Sequence, residues 1–182
     1  MRSFFILTVV GKDRPGIVAD VTEILYKWGC NLEDSSMSLL GRHFALLVLL
    51  SGEGEGLNER LQSECQRLTS KKNLIAFCSP LHEMETPMPV RRPEPDYEIR
   101  LVGRDRAGIV YNTSKMLASQ GINIVDLRTH LSPAPKGDEN VFTMIMGVTV
   151  PESIHRRQLR EMLEDLSEEL DVEISLTKLP RP

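Results

Sequence analysis

The segment Gly11-Lys12-Asp13-Arg14-Pro15-Gly16-Ile17-Val18 joins an apolar, β-branched stretch to a run of helical periodicity. At such a turn glycine lets the backbone approach a ligand, and the N–H groups of a helix start attract carboxylates or phosphates. Asp13 could accept hydrogen bonds from a ligand ammonium group, so turn and carboxylate together suit an amino-acid zwitterion. The competing reading is that Asp13 caps the helix and Gly16 permits close helix–sheet packing. The loop is neither GxGxxG nor a P-loop, which disfavours a nucleotide. A second candidate is Gly29-Cys30-Asn31. Asn31 carries both a donor and an acceptor for a ligand, or it satisfies carbonyls left open at a helix end. Cys30 has no histidine in its segment to act as base, and His43, His82, His130 and His155 are scattered without metal-ligand spacing. No catalytic residue, metal site or cofactor follows.

Both candidate segments occur twice. Shifted by 92 residues, positions 11–18 fall on Gly103-Arg104-Asp105-Arg106-Ala107-Gly108-Ile109-Val110. In the same register Gly29-Cys30-Asn31-Leu32-Glu33-Asp34 falls on Gly121-Ile122-Asn123-Ile124-Val125-Asp126. Ten residues between 11 and 34 are identical to their counterparts, most of them Gly, Asp, Asn or the first apolar residues of a helix. The chain is therefore two copies of one unit. The expected division is 1–79, a proline-rich linker at 80–95, and 96–182. Five of the eleven prolines lie between Pro80 and Asp96, and proline serves neither central strands nor helix interiors.

Each unit reads as strand, helix, strand, strand, helix, strand. In unit one residues 3–10 form a strand that ends at Gly11. A helix over Pro15–Trp28 places Ile17, Val21, Ile24 and Leu25 on one face and stops at Gly29. Strands 31–39 and 43–51 make a hairpin across Gly41-Arg42. Leu57, Leu61, Cys65 and Leu68 mark a second helix, and Asn73 to Cys78 the last strand. Unit two repeats the order at 97–103, 107–119, 122–132, 140–150, 152–169 and 171–178, with Pro151 opening its second helix. The fold class is α+β: two ferredoxin-like βαββαβ units, each an antiparallel sheet with its helices on one face.

Composition bounds the function. The 182 residues are 41% hydrophobic and 26% charged, the balance of a globular chain. A net charge of −4 argues against direct nucleic-acid binding. The longest apolar run, Phe44–Leu50, is far below the ~20 residues that cross a bilayer. Three cysteines without CxxC spacing fit a reduced, cytoplasmic protein. Sheets with exposed edges invite pairing, so a homodimer is expected.

The Gly-x-Asp-Arg-Pro-Gly-Ile-Val turn at 11–18, the Gly-Cys-Asn-Leu-Glu-Asp segment at 29–34 and the βαββαβ pattern together resemble the ACT domain. The tandem length, with Ser35 and the strand end Leu47–Gly52, resembles the glycine cleavage system transcriptional repressor family more narrowly. The second unit departs at Ala107, where the pattern has proline. The resemblance implies a regulatory protein without catalysis, binding a small amino acid such as glycine or serine at interfaces between units. Carried over, the ligand-binding positions are Gly11, Asp13, Pro15, Gly16, Ile17 and Asn31, then Gly103, Asp105, Gly108, Ile109 and Asn123. It also implies action on transcription of glycine and one-carbon metabolism through contact with a LysR-type activator, without direct nucleic-acid or membrane binding. The alternatives are a detached regulatory subunit of an amino-acid or formyl-folate enzyme, or an interaction module that holds no ligand.

Overall fold

The computed structural model describes residues 2–81, 94–133 and 140–180. Most of the expected linker, and residues 134–139 of the second unit's hairpin loop, lie outside the described residues. The chain divides into two compact units, Met1–Met88 and Pro89–Pro182.

Unit one comprises β1 (Arg2–Lys12), α1 (Ile17–Lys27), β2 (Asn31–Leu40), β3 (His43–Glu53), α2 (Leu57–Lys72) and β4 (Ile75–Pro80). Its sheet order is β2-β3-β1-β4. Side chains alternate across a strand, so Phe5, Leu7 and Val9 of β1 and Val48 and Leu50 of β3 face one way. They meet Val21, Ile24 and Leu25 of α1 and Leu61 and Leu68 of α2 in a single core.

Unit two comprises β5 (Tyr97–Arg104), α3 (Ile109–Ser119), β6 (Asn123–Pro133), β7 (Asn140–Thr149), α4 (Arg156–Leu170) and β8 (Val172–Lys178). Its sheet order β6-β7-β5-β8 is that of unit one, and every pairing in both sheets is antiparallel. Ile99, Leu101, Met144, Met146 and Val148 pack under Leu117, Leu159 and Leu163. The repeat extends to a register shift in each edge strand, between Leu32 and Asp34 in β2 and between Ile124 and Asp126 in β6. Two ferredoxin-like α+β units are what the sequence pattern required.

Several element ends differ from the sequence reading. Helix α1 starts at Ile17 and not at Pro15, because Gly16 takes a left-handed φ of 88° and is itself the N-cap. Asn73 is likewise left-handed, at φ 57°, and terminates α2, so β4 begins at Ile75. Pro151 does not open α4. Its carbonyl accepts the Ile154 N–H at 2.9 Å in a separate turn, and the helix begins at Arg156.

Candidate functional site

The two repeated turns share one backbone design. In each, a left-handed glycine ends the loop and starts the helix: Gly16 at φ 88° before α1, Gly108 at φ 100° before α3. A side chain at that φ is strained, so glycine is required there. No side chain caps either helix. Asp13 is exposed and anchors its turn through the main chain, its N–H donating to the Arg42 carbonyl at 2.8 Å. Asp105 does the same to the Asn140 carbonyl at 3.1 Å. The capping role weighed for Asp13 is therefore not one the structure gives it. Asp13 lies three residues before the N-cap Gly16, at a helix start whose partial positive charge favours an anion.

Gly11 and Gly103 lie where the first strand of each unit packs closely against residues at the start of the last strand. A Cβ on Gly11 would stand 2.6 Å from Leu74 Cδ2, and one on Gly103 2.5 Å from Val172 Cγ1. Pro15 is exposed at the turn. Ile17 and Ile109 are each 3% exposed and bury their side chains in the cores. What these two residues can offer a ligand is backbone.

Within one unit, Asn31 does not meet Asp13. Gly11 pairs with Phe44 on β3, whereas Asn31 pairs with Ser51 at the other end of that strand. Seven residues separate them, about 23 Å at ~3.3 Å per residue. In unit two Gly103 pairs with Phe142 and Asn123 with Thr149, the same arrangement. Each unit thus carries two candidate half-sites at opposite ends of its sheet. Both asparagines are exposed and start an edge strand.

The sequence reading missed the charges around the first turn. Arg14 folds back onto α1, its Nη2 2.6 Å from Asp20 Oδ2, and Lys72 approaches the same carboxylate at 3.0 Å. Hydrogen bonds from Arg14 and Lys72 hold the Asp20 carboxyl below its ordinary range. At the repeated position unit two has Asn112, and Arg106 pairs instead with Asp171 at 2.7 Å. The signal was present in the sequence as Asp20 against Asn112.

The thiols are not poised for chemistry. Burial pushes Cys65 up to about 11 and Cys78 up to about 12, and it also raises Cys30. They stay protonated at neutral pH and are poor nucleophiles. Among the described residues no group of three His, Cys, Asp or Glu is placed to hold a metal ion, and no helix is long and apolar enough to cross a membrane.

Comparison with known proteins returns to the same two units. A family model described as the ACT domain matches residues 3–79 and 99–177. The glycine cleavage system transcriptional repressor of Escherichia coli is 43% identical over 51 residues, covering 28% of this chain and 27% of that protein. The matched segment thus spans about a quarter of that curated relative. Among solved structures, an unknown protein from Galdieria sulphuraria superimposes with a TM-score of 0.75 at 29% identity, covering 99% of this chain and 100% of the other. A structure provisionally described as a glycine cleavage system transcriptional repressor gives a TM-score of 0.71 at 23% identity, covering 100% and 99%. At that identity the likeness is one of fold.

Proposed function

The chain belongs to the ACT-domain family, and on that premise we propose that it is an amino-acid-responsive regulator with no catalytic activity of its own. The observation that carries this reading is the repeated, uncapped turn. Gly11–Gly16 and Gly103–Gly108 each present an exposed aspartate beside a helix start that no side chain caps. An ammonium group on the aspartate and a carboxylate on the helix N–H groups would satisfy both.

Asn31 completes such a site only from a second copy. Strand β2 is an edge, exposed along all ten residues, and an edge presents N–H and C=O groups that a second strand can pair. Antiparallel pairing of two β2 edges brings Asn31 of one copy to the Leu40 end of the other. There Arg42 holds the Asp13 turn. The ligand, a small amino acid such as glycine or serine, would then sit between two subunits of a homodimer and bias their geometry. Such a bias requires different ligand affinities in two states. The readout would be contact with a LysR-type transcriptional activator controlling glycine and one-carbon genes. The net charge of −4 favours protein contact over direct DNA contact.

A thermal-shift screen of the twenty amino acids tests the reading. Ligand at 100 times its Kd adds about 2.7 kcal/mol. Asp13→Ala and Asn31→Ala should each then weaken binding by about 1–3 kcal/mol in calorimetric titration. Lower melting temperatures with unchanged affinity in both variants would overturn the site.

A further inference from the structure

The helices cover one face of each sheet and leave the other open, and the two open faces differ in chemistry. In unit one the cross-strand rows on that face read Phe77–Thr8–Leu47, Ile75–Val10–Ala45 and Ser79–Ile6–Leu49 across β4, β1 and β3. Phe77, Ile75 and Leu47 are 56%, 68% and 47% exposed. In unit two the rows read Thr177–Glu98–Gly147, Ser175–Arg100–Ile145 and Glu173–Val102–Thr143. Arg128 and His130 of β6 extend the last two.

We propose that the open sheet face of unit one is a self-association surface, stacked against the same face of a second copy. The charge, layout and size of the face select that occupant. First, the unit-two face carries Glu98, Arg100 and Glu173, and covering apolar side chains with it would bury charges that have no partner there. A second unit-one face carries no such penalty at its centre, and a two-fold axis sets the same patch against itself. Second, the patch has the layout of an interface, an apolar centre with a polar rim. At one end Arg2 lies 5.7 Å from the Phe4 ring centroid and bonds to Ser51 and Glu33, while at the other Lys12 pairs in register with His43. Third, the size fits. Four strands at ~4.8 Å spacing and some six residues of ~3.3 Å make a face of about 20 by 20 Å. Pleating and protruding side chains raise its surface above that plane of about 400 Å², in the direction of the ~600 Å² per partner at which stable interfaces begin. Its apolar part spans β4, β1 and β3, and β2 adds a polar margin of Asp34, Ser36 and Ser38.

Stacked sheets pack about 10 Å apart with their strands nearly aligned. Stacking on this face does not use the β2 edge, so the surface is compatible with the edge pairing proposed above. It adds a second contact between copies to the edge-paired homodimer and rests on self-association, not on any ligand. The two readings fail separately. Ser36→Pro on β2 should abolish edge pairing and weaken amino-acid binding. Phe77→Lys, or the milder Ile75→Ser, should leave ligand affinity unchanged and halve the mass measured by sedimentation equilibrium. Because both side chains are exposed, the melting of unit one, read by Trp28 fluorescence, should stay within a few degrees of wild type. Ser175→Lys on the unit-two face should leave the mass unaltered. A wild-type mass equal to that of both face variants would overturn the proposal. So would a mass that falls as far with Ser175→Lys as with Phe77→Lys.

Discussion

Units one and two share a backbone and differ in what locks their helices together. In unit one, Glu64 of α2 is 4% exposed and is met by Lys27 and Arg67, each at 2.5 Å, and by the Trp28 Nε1 at 3.3 Å. Lys27 and Arg60 also stack on the Trp28 ring, at 4.9 and 5.2 Å from its centroid. With the Arg14–Asp20–Lys72 cluster these contacts tie α1 to α2. At the repeated positions unit two has Asn112, Ser119 and Gln120 in place of Asp20, Lys27 and Trp28. The result is an open groove of about 420 Å³ between α3 and α4, floored by Met116, Met162 and Leu166. The turn residues repeat because backbone geometry demands them. The helix pair has no such demand, and each unit fills that space with its own chemistry.

The comparison is most sharply tested by removing Glu64. Glu64→Ala leaves two cations and an indole N–H without their shared acceptor. Both cations are part-exposed and can reach water, so the cost should be about 2–3 kcal/mol, below that of a fully buried pair. Trp28 is the only tryptophan, so its fluorescence follows unit one alone in chemical denaturation. An unchanged midpoint would mean that the network does not lock the unit.

Acid should separate the units next. Burial pushes the Glu64 carboxyl upward, but hydrogen bonds from Lys27 and Arg67 outweigh it and bring the value to about 2, against an ordinary 4.5. The folded state therefore prefers the carboxylate. The resulting stability is present above about pH 4.5 and is lost as pH falls towards 2. Trp28-detected stability should drop by on the order of 2 kcal/mol through that window. In Glu64→Gln the drop should flatten, and a slope identical to wild type would assign it to other carboxylates.

The paired glycines give a smaller contrast. Gly103→Ala meets the β-branched Val172 at its Cγ1, its Cβ at 3.0 Å and its Cα at 3.3 Å, so the strand itself must shift. That should cost about 1–3 kcal/mol. Gly11→Ala meets chiefly the Leu74 Cδ2 tip, which can rotate, and should cost below about 1 kcal/mol. Equal losses in melting of the two variants would show that the sites are packed alike.

The smallest effect concerns the turn arginines. Asp20 is 16% exposed and shared by two cations, whereas Asp171 is 79% exposed. Arg14→Ala should cost about 0.5–1 kcal/mol, and Arg106→Ala should fall within about 0.5 kcal/mol of zero. The reverse order would mean that the second pair carries more order than its exposure implies.

The sequence by itself determined the repeat, the order of elements, the hairpin at Gly41-Arg42 and the buried sets of β1 and α1. Those follow from periodicity and from residue types that only certain backbone angles accept, which are local properties. It placed helix starts less well. Pro15 and Pro151 are both compatible with a first helical position, but neither occupies one, because the chain uses Gly16 and His155 as N-caps. The candidate site was legible as residue types and not as geometry. That Asp13 and Asn31 lie at opposite ends of one sheet depends on strand register, which is set by pairing between segments distant in the chain. The same is true of the Glu64 cluster, whose members come from two helices, and of the apolar face on unit one. Ile75 and Phe77 belong to the residue types that most often fill a core. Only the sheet order, with both helices on the other side, turned them towards solvent.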